Sequence, residues 1–116
     1  MQRKSTTQAV LKLWEESLCE LVRKEGPDLS ARQMAIMLIV YLQDPPHTVR
    51  GLAAQLKISK PAETRALDTL GKMDLLKRKP DEMDKRSINV VRTVKGSVYL
   101  SEFSEVIEKS AWHNLA

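Results

Sequence analysis

Aromatic side chains, cysteine and glycine are all scarce in this sequence, and each shortage closes off a class of protein. The aromatics are Trp14, Tyr41, Tyr99, Phe103 and Trp112, so the core must be mainly aliphatic, as packed helices allow. A single cysteine, Cys19, permits no internal disulfide and agrees with a reducing compartment. The four glycines, Gly26, Gly51, Gly71 and Gly96, make no phosphate-cradling loop. The two histidines, His47 and His113, lie far apart, and there is no H-E-x-x-H, C-x-x-C or G-x-S-x-G spacing. Neither a metal site nor a catalytic constellation is expected, no cofactor is implied, and the protein is expected not to be an enzyme. The longest apolar run, residues 34–42, falls short of the ~18 residues that span a bilayer. Residues 1–7 carry charge without the hydrophobic segment of a signal peptide. The expected location is cytoplasmic, with no membrane contact.

What is present is positive charge in one place. Residues 57–95 hold 11 basic and 6 acidic side chains and so carry +5, while the rest of the chain is −1. Charge gathered in this way is the footprint of a polyanion-binding surface, although a solvated basic face would have the same composition.

The hydrophobic pattern predicts about five helices and a hairpin. Val10, Leu11, Trp14, Leu18, Leu21 and Val22 recur at helical spacing over residues 6–24, and Gly26-Pro27 ends that helix. Leu13 lies on its other side, so the helix is apolar on two faces, which suits burial between a domain body and a partner chain. Ser30-Ala31-Arg32-Gln33 reads as a capping box opening a second helix through residues 34–42. That helix is apolar nearly all round and is expected to be the central core helix, stopped by Asp44-Pro45-Pro46. Thr48 is an N-cap for a short helix over 49–56. A tight Lys57-Ile58-Ser59 connection leads to another helix, with Pro61 in its first turn, running to about Met73. Two short helices joined in this way form a helix-turn-helix. Residues 76–79 and 87–94 then read as strands around a charged turn, 80–86, making a wing. Gly96 is expected to break the chain before a last helix over about 97–115, with Val98, Tyr99, Phe103, Val106 and Ile107 as its stripe.

At about 100° per residue, Ala62, Ala66, Leu67, Leu70 and Met73 share one face of the second helix of the pair, and Lys60, Pro61, Thr64, Arg65, Asp68 and Lys72 share the other. Arg65 can pair with a phosphate or bidentately with guanine, and Thr64 with a phosphate or a thymine methyl. Lys60 adds charge beside a helix N-terminus that already favours phosphate. In the wing, Lys85 and Arg86 occupy the hairpin tip, where an arginine can enter a minor groove, and Asp84 can orient Arg86 or Arg65. Thr48 and Arg50 are candidate phosphate contacts that set register, while Thr48 acting only as a cap is the plainer reading.

These residues resemble the MarR (multiple antibiotic resistance regulator) family of winged-helix transcription factors over residues 29–100. The likeness is carried by Thr48-Val49-Arg50-Gly51-Leu52-Ala53, by residues 59–67, by Asp84-Lys85-Arg86-Ser87 and by Thr93-Val94-Lys95-Gly96. It implies a recognition helix in the major groove and Arg86 in the minor groove. It also implies a homodimer on a pseudo-palindromic operator, with residues 6–24 and 97–115 as dimerisation elements. Family members continue through longer C-terminal helices, which implies a smaller interface here or more reliance on the first helix. Some relatives sense peroxide through a first-helix cysteine. Cys19 sits in that helix, but the neighbouring Glu20 disfavours a thiolate, so packing is its expected role. Glu63 falls on the apolar face by spacing, where the family has an aliphatic residue. An unpaired buried carboxylate costs several kcal/mol or stays protonated, so Glu63 is expected at an edge, leaning to Lys60; accepting from a cytosine N4 is the alternative.

The sequence therefore reads as one mainly α winged helix-turn-helix domain over residues 1–116, a double-stranded-DNA-binding regulator and a repressor. Its effector, small molecule or protein, is left open. The competing reading is a winged-helix adaptor that docks a protein and binds DNA weakly.

Overall fold

The computed structural model describes residues 3–116; Met1 and Gln2, the start of the stretch weighed as a leader, lie outside them. Five helices and two strands follow in the order α1 (Arg3–Arg23), α2 (Ala31–Leu42), α3 (Val49–Leu56), α4 (Lys60–Lys72), β1 (Leu76–Pro80), β2 (Ile88–Arg92) and α5 (Val94–Leu115). This is the winged-helix arrangement. No described helix is long and apolar enough to cross a membrane. The backbone divides into two compact units, Leu29–Val98, and Met1–Asp28 with Tyr99–Ala116.

In the unit Leu29–Val98, each helix starts where a side chain can satisfy the free N–H groups of its first turn. Ser30 Oγ accepts from Gln33 N at 3.1 Å and Gln33 Oε1 accepts from Ser30 N at 2.9 Å, completing the predicted capping box. Thr48 Oγ1 accepts from Gly51 N at 2.9 Å, and Ser59 Oγ from Ala62 N at 3.2 Å. The core is aliphatic, as the shortage of aromatics requires: Ile36, Met37, Val40, Leu52, Leu67, Leu70, Leu75, Leu76 and Val90 are buried. Helix α2 supplies three of them, but Leu38 and Leu42 stay exposed, so it is buried along one face rather than all round.

The strands pair antiparallel from Leu76↔Arg92 to Pro80↔Ile88, within the wider second strand expected from sequence. A bridge between Thr48 and Asn89, with Val90 N donating to His47 O at 2.7 Å, joins the wing to the start of α3. At the foot of the wing, the Tyr41 hydroxyl lies 2.8 Å from Leu75 O and 3.2 Å from Thr93 O, and accepts from Thr93 N at 3.0 Å. Thr93 Oγ1 donates to Asp74 O at 2.7 Å and accepts from Gly96 N at 2.9 Å. Thr93 therefore caps α5. The last helix starts at Val94 instead of near Ser97, and Gly96 sits inside its first turn rather than breaking the chain. Glycine is needed there because a Cβ would overlap Tyr41 Oη and the Leu75 carbonyl oxygen.

In the other unit, α1 turns inward the side that carries Leu13, and of the expected stripe only Leu21 is buried. Ser17 and Leu21 are buried and Leu13 is half-buried, whereas Val10, Leu11, Trp14, Leu18 and Val22 are 37% to 65% exposed. The Leu13 carbonyl accepts from Ser17 Oγ at 2.8 Å and from Ser110 Oγ of α5 at 2.9 Å. Trp14 meets Phe103 edge-on, with centroids 6.3 Å apart. Glu16 accepts from Asn114 Nδ2 at 2.8 Å, and His113 Nδ1 lies 3.3 Å away; these contacts hold its carboxyl below the usual range. The Gly26 backbone, at φ 119°, is in the region that favours glycine.

Gly96→Ala is expected to lower the free energy of unfolding by about 2 kcal/mol or more, since the added methyl must displace a hydrogen-bonded hydroxyl and a carbonyl. Urea denaturation beside the unaltered chain measures this, and an unchanged midpoint would contradict the close approach at Tyr41.

Candidate nucleic-acid interface

Helices α3 and α4 are joined by Lys57, Ile58 and Ser59. Lys57 takes the left-handed conformation, at φ 55°, and its N–H caps α3 through Ala54 O at 3.2 Å while Ile58 N reaches Ala53 O at 3.1 Å. Ile58 is half-buried. Ser59 then restarts the helix and Pro61 occupies its first turn, where a missing N–H leaves nothing unpaired.

Helix α4 is divided lengthwise. Ala62, Ala66, Leu67 and Leu70 are buried, while Lys60, Pro61, Arg65, Asp68 and Lys72 are exposed and Thr64 is half-exposed. The structure thus puts Lys60, Pro61, Thr64 and Arg65 together on one outward surface. Thr48 is half-buried at the head of α3, committed to its cap, and Arg50 is exposed in the first turn of that helix.

The wing tip is built by carboxylates. Asp81 Oδ1 accepts from Met83 N at 2.8 Å and Asp84 N at 3.2 Å, and Asn89 Nδ2 lies 3.4 Å from Oδ2. These N–H groups hold the Asp81 carboxyl below the usual range, Met83 first and Asp84 next. Asp84 Oδ1 accepts from Arg86 N at 3.1 Å, with Arg86 Nε 3.6 Å away. Of its two expected partners Asp84 therefore takes Arg86. The Arg86 side chain is 95% exposed, and Lys85 is exposed beside it. The wing is also tied to α4, because Arg78 Nη2 donates to Asp68 Oδ1 at 2.6 Å.

Three contributors escaped the sequence reading. Asp81 follows Pro80 and precedes two turn residues, which is an Asx-turn signal. Arg78 was visible only as part of a basic count. Thr93 lay inside an expected strand, although it stands three residues before Gly96 as an N-cap does.

Glu63 is placed differently from the edge position expected of it. Its side chain is 0% exposed, and neither carboxylate oxygen has a hydrogen-bond partner. It does not reach Lys60, because position 63 turns with Ala62, Ala66 and Leu67 toward the interior, as the bare helical spacing indicated. Burial alone pushes its carboxyl up from 4.5 to about 7.

Comparison with protein-family models matches residues 29–88 to the MarR family. No curated protein matches the chain. Among solved structures, the fold is similar to that of the transcriptional regulator Tm0710 from Thermotoga maritima, at a TM-score of 0.74 and 23% identity over 90% of this chain and 70% of that one. It is similar to S. aureus MepR in a DNA complex, at a TM-score of 0.70 and 19% identity over 91% and 82% of the two chains. It also matches the transcriptional regulator PA4135, at a TM-score of 0.71 and 23% identity over 93% and 74%. At these identities the likeness is one of fold.

Glu63 makes stability depend on pH. Between 4.5 and about 7 the folded chain keeps a proton that the unfolded chain has lost, so stability falls as pH rises across that window and is lowest above it. The rise in pKa corresponds to about 3 kcal/mol. Glu63→Leu is expected to gain about that much near pH 8 and little near pH 4, flattening the profile. Urea titrations at both ends test this; a variant that stays parallel to the parent at every pH would refute it.

Proposed function

The chain belongs to the MarR family, and on that premise we propose that it is a sequence-specific double-stranded-DNA-binding transcriptional regulator. In this reading it acts as a repressor and as a homodimer on a pseudo-palindromic operator. One observation carries the reading: α4 buries its apolar face and turns out Lys60, Pro61, Thr64 and Arg65, in the same compact unit as a wing tipped by Lys85 and Arg86. A helix of this kind fits the major groove and an extended arginine fits the minor groove. Arg65 is the base reader, Lys60 and Arg50 meet phosphates, Thr64 contacts a phosphate or a thymine methyl, and Thr48 fixes the start of α3. Asp84 steadies Arg86. S. aureus MepR, a protein of similar fold, forms a complex with DNA, which supports DNA binding as a use of this fold.

Helix α1 and the C-terminal part of α5 are the dimerisation elements in this proposal. Their support is the row Val10, Leu11, Trp14, Leu18 and Val22 on α1, together with Trp112 and Leu115 on α5, all exposed. A row of large apolar side chains facing water marks a surface for a partner. The adaptor reading is favoured by Glu63 and by a last helix short for the family, and opposed by the basic wing. With that carboxyl turned inward, the groove-facing side of α4 keeps its positive charge.

Fluorescence anisotropy with a duplex from the promoter of the chain's own gene, against a scrambled duplex, tests the function. Specific binding should fall by about 10³- to 10⁵-fold between roughly 50 and 200 mM salt, as expected for several phosphate contacts. Arg65→Ala should cost about 1–3 kcal/mol and relax sequence preference, while Arg86→Ala should matter most at A·T-rich minor grooves. Equal weak binding to both duplexes, at every salt concentration, would sink the regulator reading.

Leu11→Glu tests the dimer. Leu11 is exposed in the single chain, so the fold should survive the substitution while sedimentation shows a monomer. A variant that sediments as the parent does would take that face out of the interface.

A further inference from the structure

Met83 is 95% exposed at the tip of the wing, the most exposed large apolar side chain in the described structure. The backbone beneath it is fixed by hydrogen bonds. Its own N–H is bonded to Asp81 Oδ1 at 2.8 Å, the next N–H in the chain shares that oxygen at 3.2 Å, and Asn89 approaches the other oxygen. The turn is therefore preorganised by a carboxylate, and it holds an unbranched thioether side chain out in water. Three residues on, the same turn holds out Arg86, with its N–H on Asp84 and its side chain 95% exposed.

We propose that Met83 is an apolar wedge that enters the minor groove of the DNA duplex and lodges at a partly unstacked base step, with Arg86 beside it in the groove. The proposal rests on the DNA-binding reading and adds a residue and a mode of recognition to it. Apolar side chains inserted at base steps from the minor groove kink the duplex, and the cost of unstacking is lowest at flexible pyrimidine–purine steps. Met83 therefore confers a preference for such a step under the wing tip without any hydrogen bond to a base. Methionine suits the task because its flexible, polarisable side chain adapts to an irregular slot. Asp84 is engaged by Arg86, while exposed Glu82 is repelled by the phosphates on both sides of the groove, a cost that Arg86 beside the wedge offsets by bringing positive charge into the same groove. Entering the groove also removes from water an apolar side chain that the free protein leaves hydrated.

The test uses the whole chain and a duplex recovered from a randomised library by its binding to that chain, with a dye at each end. Anisotropy reads affinity, and energy transfer between the dyes reads bending. The expected result is that the parent bends the duplex, that Met83→Ala binds about tenfold more weakly and leaves the duplex straighter, and that Met83→Leu restores both. Replacing the pyrimidine–purine step under the wing by an A-tract should weaken the parent and leave Met83→Ala nearly unchanged. A Met83→Ala protein that binds and bends like the parent, or a parent complex whose duplex is straight, would overturn the wedge and leave DNA binding standing. Failure of the parent to recover any duplex would overturn the DNA-binding reading and the wedge with it. Thermal melts of each variant confirm that the exposed substitution leaves the fold intact.

Discussion

The Tyr41 hydroxyl is the point on which the unit Leu29–Val98 depends. It lies where three segments meet: the end of α2, the Leu75 carbonyl just before β1, and Thr93 just after β2. Both feet of the wing are thus fastened to one phenol, and Thr93 passes the connection on to Asp74 and to the first turn of α5. Arg92 reinforces the same corner by donating through Nε to Val40 O at 3.0 Å, with its guanidinium 5.8 Å from the Tyr41 ring centroid. A half-buried hydroxyl with every bond made strengthens a junction, whereas each bond lost there would leave a polar group stranded. The Arg78–Asp68 pair and the His47–Val90 hydrogen bond then fix the body of the wing to α4 and to the start of α3. Because the strands are held at their feet and along their length, the tip is presented in a defined place relative to α4.

Glu63 is the opposite case. Tyr41 has every bond satisfied, while Glu63 has none, and both lie in the same unit. Since the carboxyl sits in the first half of α4, behind the side chains that face outward, its ionisation weakens the element that carries Arg65. The protonated form is compatible with burial and the charged form is not. Near neutrality α4 is consequently anchored less firmly than its aliphatic neighbours would allow.

Most of the fold was legible because its signals are local. Ser30 with Gln33, Thr48, and Ser59 before Pro61 mark three helix starts by themselves, and the division of α4 into two faces follows from helical spacing. The start of α5 was not legible, because a helical glycine at position 96 makes sense only once Tyr41, more than a half-hundred residues earlier, is packed against it. For Glu63 the spacing was right and the chemical objection to a buried, unpaired carboxyl was misleading, since a raised pKa lets the group be buried neutral. In α1 the sequence offered two apolar faces. Periodicity cannot tell which of them meets the chain itself, and Ser17 with Ser110, small enough to pack beside the Leu13 carbonyl, decided it. At the wing, Lys85 and Arg86 could be read from charge, but the scaffold made by Asp81 needs its carboxylate aimed back at N–H groups two and three residues ahead.

The acids of the basic segment explain why that segment can be both charged and well ordered. Asp68 is bonded to Arg78, Asp81 to backbone N–H groups, and Asp84 to the N–H of Arg86. Each spends its charge on shaping the surface, and each leaves Lys60, Arg65, Lys72 and Lys85 outward-facing. Glu63 contributes no negative charge to that surface while it holds its proton, so the segment counts as more positive than its formal +5 on the acid side of about pH 7. The same residue therefore acts in one direction on two quantities: protonation steadies α4 and raises the positive potential through which a polyanion is drawn to it.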